Sequence, residues 1–168
     1  MKETLVLAIG NTLMGDDGLA QIMLAALENY TYTPSIHLLD GGTQGLYLLP
    51  SFRGIDQLLI LDATDNPPGT VNIWQGDEVP KRLRAKKLSA HDVLFDEVLA
   101  IAALLGQLPP VMALVGIGIE QMELGQGLSQ KVQDSIPLGV EKALAVLALW
   151  GIAAEKKDDV HCHSHAGH

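Results

Sequence analysis

The sequence predicts a single α/β domain, a mostly parallel sheet sandwiched between helices. Three observations carry that prediction. The runs Leu5–Ile9, Leu58–Leu61 and Val111–Gly116 are apolar without alternation, as strands covered on both faces are. Segments of helical period lie between them, so strands and helices alternate along the chain. And 168 residues, 48% of them hydrophobic, suit one domain with a substantial core.

Taken in order, Leu5–Ile9 is a buried strand that breaks at Gly10-Asn11. A short loop leads to Gly15, the adjacent acids Asp16 and Asp17, and Gly18, where a helix to Tyr30 is expected from Ile22, Met23, Ala26, Leu27 and Tyr30. Thr31 to Pro34 breaks that helix. Ile36–Leu39 is a short strand ending in Asp40-Gly-Gly-Thr43. Gly45 to Phe52 is a short helix weakened near its end by Pro50. Gln57–Leu61 is a strand ending at Asp62, Asn66-Pro-Pro-Gly69 a turn, and Val71–Trp74 an edge strand. Ser89-Ala-His-Asp92 resembles a helix start, with Ser89 as cap and Asp92 three residues on. Leu94, Val98, Ile101 and Leu105 form the expected buried stripe, and Gly106 ends the helix. Val111–Gly116 is a strand, Glu120–Gly127 a loop, and Ser129–Trp150 a helix with Pro137 as a kink or restart. The domain is expected to span 1–154, and residues 155–168, polar and His-rich, to form a disordered tail.

Charge and cysteine usage narrow the function. A net charge of −9 and a pI near 4.9 argue against a nucleic-acid partner. No apolar run reaches membrane-spanning length, and Met1-Lys2-Glu3 leads directly into the first strand with no signal peptide visible. The one cysteine, Cys162, allows no intrachain disulfide and is poorly placed for a nucleophile. A cytoplasmic protein is expected. A monomer is expected too, since no sustained heptad is readable. The densest basic cluster, Lys81, Arg82, Arg84, Lys86 and Lys87, reads as a guide for a partner or as a solvated loop.

Chemistry gathers where three strands end in acid, since ligands of open parallel sheets bind beyond the carboxyl ends of strands. Asp16 and Asp17 flank a helix start. One of them reads as a cap complementing the helix dipole, and Asp17 is the better candidate for a site. Asp62 reads as a strand-end turn residue or a site residue. Asp40 reads as structural, with the backbone of Gly41-Gly42-Thr43 as a candidate substrate contact. His91, in the first turn of its helix, favours the neutral imidazole that binds metals, or else is a surface histidine; His37 reads as packing or surface. Two carboxylates and a neutral histidine suit zinc or nickel. The tail, His161-Cys-His-Ser-His165 and His168, reads as a solvated terminus with incidental metal affinity. The dinucleotide fingerprint, the phosphate loop, H-E-x-x-H and G-x-S-x-G are absent. Spacing alone does not select 17, 62 and 91.

Five blocks, in order, resemble the [NiFe]-hydrogenase maturation proteases: Ile9-Gly-Asn-Thr-Leu-Met-Gly-Asp-Asp-Gly18, Asp40-Gly-Gly-Thr43, Leu61-Asp-Ala63, Ser89-Ala-His91 and Leu114-Val-Gly116. The resemblance spans about residues 4–150. It implies a twisted, mostly parallel sheet between helices and an endopeptidase that removes the C-terminal extension of the hydrogenase large-subunit precursor. It also implies a trio, Asp17, Asp62 and His91, that contacts nickel already seated in the precursor and carries the catalytic role. The nickel is then cargo of the substrate, and no catalytic metal of the protein's own is expected. The chain departs from the family pattern in Ala8 for the first glycine of Gly-x-Gly-Asn, in Asp17 where Glu is frequent, and in Ala20 where a glycine is frequent.

Two other readings stand beside this one. A non-enzymatic nickel-insertion chaperone would use the same trio, bind metal tightly alone and leave its partner's length unchanged. A small-molecule hydrolase or nucleotide-binding domain would share the architecture but lacks a phosphate loop and a nucleophile here. Fold alone does not separate these.

Overall fold

A computed structural model describes residues 1–85, 88 and 90–158, the side chains of His91 and Val93 excepted. Its central sheet has strand order β3-β1-β4-β6-β5, built from β1 (Thr4–Ile9), β3 (His37–Gly42), β4 (Gln57–Thr64), β5 (Val71–Gln75) and β6 (Val111–Gly118). All neighbours are parallel except the edge strand β5, which runs antiparallel to β6. The predicted α/β architecture and the edge placement of Val71–Trp74 are both observed.

Strand alternation explains why both faces are apolar. Val6, Ala8, Leu59, Leu61, Ala63, Ala113, Val115 and Ile117 face one core, covered by α1 (Leu19–Leu27) and α4 (Gln130–Leu149). Leu5, Leu7, Ile9, Leu58, Ile60, Met112 and Leu114 face the other. That second core is closed by the 3-10 segment Gly45–Phe52, α2 (Glu78–Ala85) and α3 (Ala90–Leu104). A fully buried leucine contributes roughly 1.5–3 kcal/mol, so the two layers together bind the helices to the sheet.

Several boundaries differ from the sequence reading. The first helix begins as a 3-10 turn, Gly15–Gly18, and α1 ends at Leu27 rather than at Tyr30. Tyr30 instead opens β2 (Tyr30–Thr33), whose alternating aromatic and β-branched residues pair antiparallel with β7 (Ala153–Lys156). The boundary expected at Glu155 therefore falls inside a strand, and the Lys157 N–H donates to the Asn29 carbonyl at 2.8 Å. Residues 159–168, with the tail histidines and Cys162, lie outside the described residues.

Two helices also correct the reading. The basic stretch Lys81–Lys87 begins inside α2, where Val79 and Leu83 are buried, while Lys86 and Lys87 lie outside the described residues. Its Arg82 guanidinium is hydrogen-bonded to Asp65 and to Asn66, and stacks 5.0 Å from the Trp74 ring centre. Arg82 thus tethers α2 to the β4–β5 connection and is not available to a partner. In α3 the buried stripe is Phe95, Val98, Leu99 and Ala102, whereas Leu94 and Leu105 are exposed. Both stripes have helical spacing. Packing against Gly45–Phe52 and α2 selects the one that carries the phenyl ring. Gly106 ends the helix as expected, at φ +67°.

Candidate active site

The site lies at the carboxyl ends of β1, β3 and β4. At Gly10 the chain leaves β1 with φ +147°, and a β-carbon there would come within 2.0 Å of the Asp17 carbonyl oxygen. Glycine is required because the strand end and the acid turn touch backbone to backbone. The Gly10 N–H donates to the Gly42 carbonyl at 3.2 Å, which joins this turn to the end of β3.

The two adjacent acids have separate tasks. Asp16 is fully buried and cross-links the molecule. Its Oδ2 accepts the N–H groups of Glu120 (2.9 Å) and Gln121 (3.0 Å) and the Ser129 hydroxyl (2.8 Å). Its Oδ1 accepts the Ser129 N–H at 2.6 Å, at the start of α4. Asp16 therefore complements the dipole of a distant helix rather than capping its own, whose start shows no side-chain cap. Asp17, also fully buried, accepts the Asn11 N–H on Oδ2 at 3.0 Å and lines a cleft of about 420 Å³. Asn11, Met14, Thr43, Ala90, Leu94 and Met122 form the rest of its wall.

Asp62 is buried within β4 rather than after it, and its Oδ1 accepts the Ala63 N–H at 2.8 Å. Its register position lies one residue beyond the last pairing of β4 with β1, beside the point where the chain turns at Gly10. By alternation it shares the face of Leu58 and Ile60, the face that α3 covers. The turn carrying Asp17 packs on β4. His91 belongs to the first turn of α3, next to Ala90 on the cleft wall; its side chain lies outside the described residues, as does the cap residue Ser89. Asp92 does act at the helix start, accepting the Leu88 N–H at 3.0 Å. Among the described residues no three His, Cys, Asp or Glu side chains gather to hold a metal ion.

The β3 acid is structural, as its sequence suggested. Asp40 Oδ1 accepts the Gly42 N–H (3.0 Å) and the Gln21 amide (3.2 Å), and Gly42 has φ +47°. Of the Gly41-Gly42-Thr43 loop, Thr43 reaches the cleft wall, while a β-carbon on Gly41 would meet Leu7 at 2.8 Å, within the core. Asn11, Met14, Leu94 and Met122 were not singled out from the sequence. Asn11 and Met14 lie inside the first motif block, but Leu94 had the spacing of a core residue and Met122 sat in an unpatterned loop.

Buried carboxylates thus lie near the carboxyl ends of neighbouring parallel strands of an α/β domain, beside an open cleft. The HycI hydrogenase maturation protease family profile matches residues 23–146. The HupD hydrogenase expression/formation protein of Thiocapsa roseopersicina is 41% identical over 161 residues, covering 94% of this chain and 73% of HupD. The hydrogenase 2 maturation protease of Escherichia coli K12 is 35% identical, covering 94% of this chain and 98% of its own length. The solved structure of the E. coli hydrogenase maturating endopeptidase HybD superposes with a TM-score of 0.85 at 34% identity, over 92% of this chain and 97% of HybD. This chain belongs to the hydrogenase maturation protease family and is a peptidase.

Proposed function

We propose that this peptidase removes the C-terminal extension of a [NiFe]-hydrogenase large-subunit precursor after nickel has been inserted. Asp17, Asp62 and His91 contact the nickel carried by that substrate. The reading is supported above all by the buried carboxylate of Asp17, which shares a cleft with the start of α3, and by the buried Asp62 of β4, the strand on which the turn carrying Asp17 packs. A carboxylate out of water interacts strongly with an arriving cation, because the local dielectric is low. Two oxygen donors and an imidazole suit a borderline divalent ion.

In this mechanism the trio docks on the nickel and sets the scissile bond beside it. Docking supplies orientation, which can lower a barrier by several kcal/mol, on the order of 7–11 at best. The attacking water is activated either by the precursor's nickel as Lewis acid or by a carboxylate as general base. Thr43 borders the cleft, and in this reading the backbone of the Gly41-Gly42-Thr43 loop holds the extended peptide. The protein works on its precursor in the cytoplasm and carries no catalytic metal of its own.

The test is a processing assay with nickel-loaded and nickel-free precursor, followed by mass. Loss of the extension in the loaded sample alone is expected. Cutting in both would remove the nickel-sensing role. Cutting in neither, with nickel retained by this protein, would favour an insertion chaperone.

A further inference from the structure

Exposed apolar side chains adjoin the walls of the acid cleft. On one lip, Leu13 and Leu124 are 64% and 75% exposed. They are brought side by side by the bridge between Met14 and Leu124 and by the Gly125 N–H, which donates to the Leu13 carbonyl at 2.9 Å. The other lip is Leu94, on the cleft wall, with Leu46 and Tyr47 next to the Gly45 that packs on it; Tyr47 is 87% exposed. Gly45 packs against Leu94, since a β-carbon there would lie 3.5 Å from the Leu94 Cβ. Thr43, Leu94, Met14 and Met122 line the same cleft as Asp17. Exposed apolar clusters of this kind mark protein-binding surfaces.

From this arrangement we infer that the two lips are the docking surface for the large-subunit precursor, and that they grip apolar side chains flanking its scissile bond. The inference rests on the proposed processing function for the identity of the partner. The occupant follows from continuity with the site. A peptidase's polypeptide substrate must cross these lips to bring a bond to Asp17. Burying large side chains at the centre of an interface supplies most of its affinity.

The rim is tested with the full chain by the substitutions Tyr47→Asp and Leu124→Asp, alone and combined. Leu104→Asp and Leu149→Asp serve as controls: they are equally exposed but lie at the far ends of α3 and α4. Binding of the nickel-loaded precursor is measured by calorimetry, and cleavage by steady-state kinetics on the same samples. The combined rim variant is expected to weaken binding and raise KM by about tenfold or more, with kcat within about twofold. The controls and the salt dependence of binding should stay close to wild type. Rim variants that bind and cut like the controls would overturn the inference, as would a wild-type protein that does not bind the precursor. A wild-type protein that binds through the rim but does not cut would uphold the docking surface and reject the processing reading instead.

Discussion

Asp16 accepts both hydrogen bonds that Ser129 has to give, from its backbone N–H at 2.6 Å and its hydroxyl at 2.8 Å, across 113 residues of chain. With the N–H groups of Glu120 and Gln121 on the same carboxylate, this contact fixes the loop that contributes Met122 to the cleft. The acid beside it, Asp17, faces that cleft. One dipeptide thus carries a structural clamp and a candidate catalytic group, separated only by the direction of their side chains.

Replacing Asp16 with Ala would leave several buried donors without an acceptor. Hydrogen bonds to a charged group contribute about 1.5–3 kcal/mol each at most, and not additively. A loss of about 3 kcal/mol or more is expected in urea unfolding. Ser129→Ala, which removes one of the four donors, should cost about 1 kcal/mol. Equal losses from both would show that Asp16 does not organise the loop.

Asp17→Asn keeps an acceptor for the Asn11 N–H, and His91→Ala leaves the α3 stripe intact, so both proteins should fold. Processing of nickel-loaded precursor should drop by about 100-fold or more in each. Circular dichroism alongside the cleavage assay separates the two effects. Unfolding of these variants would withdraw the support for a site role, and near-normal cleavage would remove the residues from the mechanism.

Gly10→Ala places a methyl group on the Asp17 carbonyl at a backbone angle of +147°. The strand end must move, and the acid turn with it. A destabilisation of about 2–4 kcal/mol is expected together with loss of cleavage. Gly54→Ala, where a β-carbon meets nothing within 4 Å, isolates the backbone contribution from the collision.

Burial, with Tyr30 as the lesser cause, pushes the Tyr32 phenol up from 10.0 to about 12. Its hydroxyl donates to the Leu27 carbonyl at 2.7 Å, at the joint between α1 and β2. The folded protein therefore holds this proton more tightly than the unfolded chain. Stability from Tyr32 is present below about pH 10 and is lost as pH rises towards 12. Unfolding curves of wild type and Tyr32→Phe should converge across that window. Parallel curves would show that the phenol does not titrate late.

Much of this architecture was legible because it follows from local rules. Strands apolar on both faces announce a covered parallel sheet, and the acids after them mark its ligand edge. What stayed illegible depended on distant partners. The strand Tyr30–Thr33 needs β7, more than a hundred residues on, before its alternation means anything. The basic stretch from Lys81 reads as a partner guide or a solvated loop until Val79, Leu83 and the Arg82 stack on Trp74 are seen in α2. Leu94 and Phe95 are adjacent, and either begins an acceptable apolar stripe.

The sequence by itself determined the alternation of strands and helices, the motif blocks that mark the family, and Asp17 and Asp62 as candidate site acids. These are properties of short stretches, set by side-chain period, glycine and the chemistry of carboxylates. Only the tertiary structure decided that Asp16 serves Ser129 instead of the site, that Leu94 faces the cleft while Phe95 faces the core, and that Leu13 and Leu124 are joined beside Met14 on the cleft wall. Those choices depend on which surfaces meet when the chain closes, and no local pattern contains that geometry.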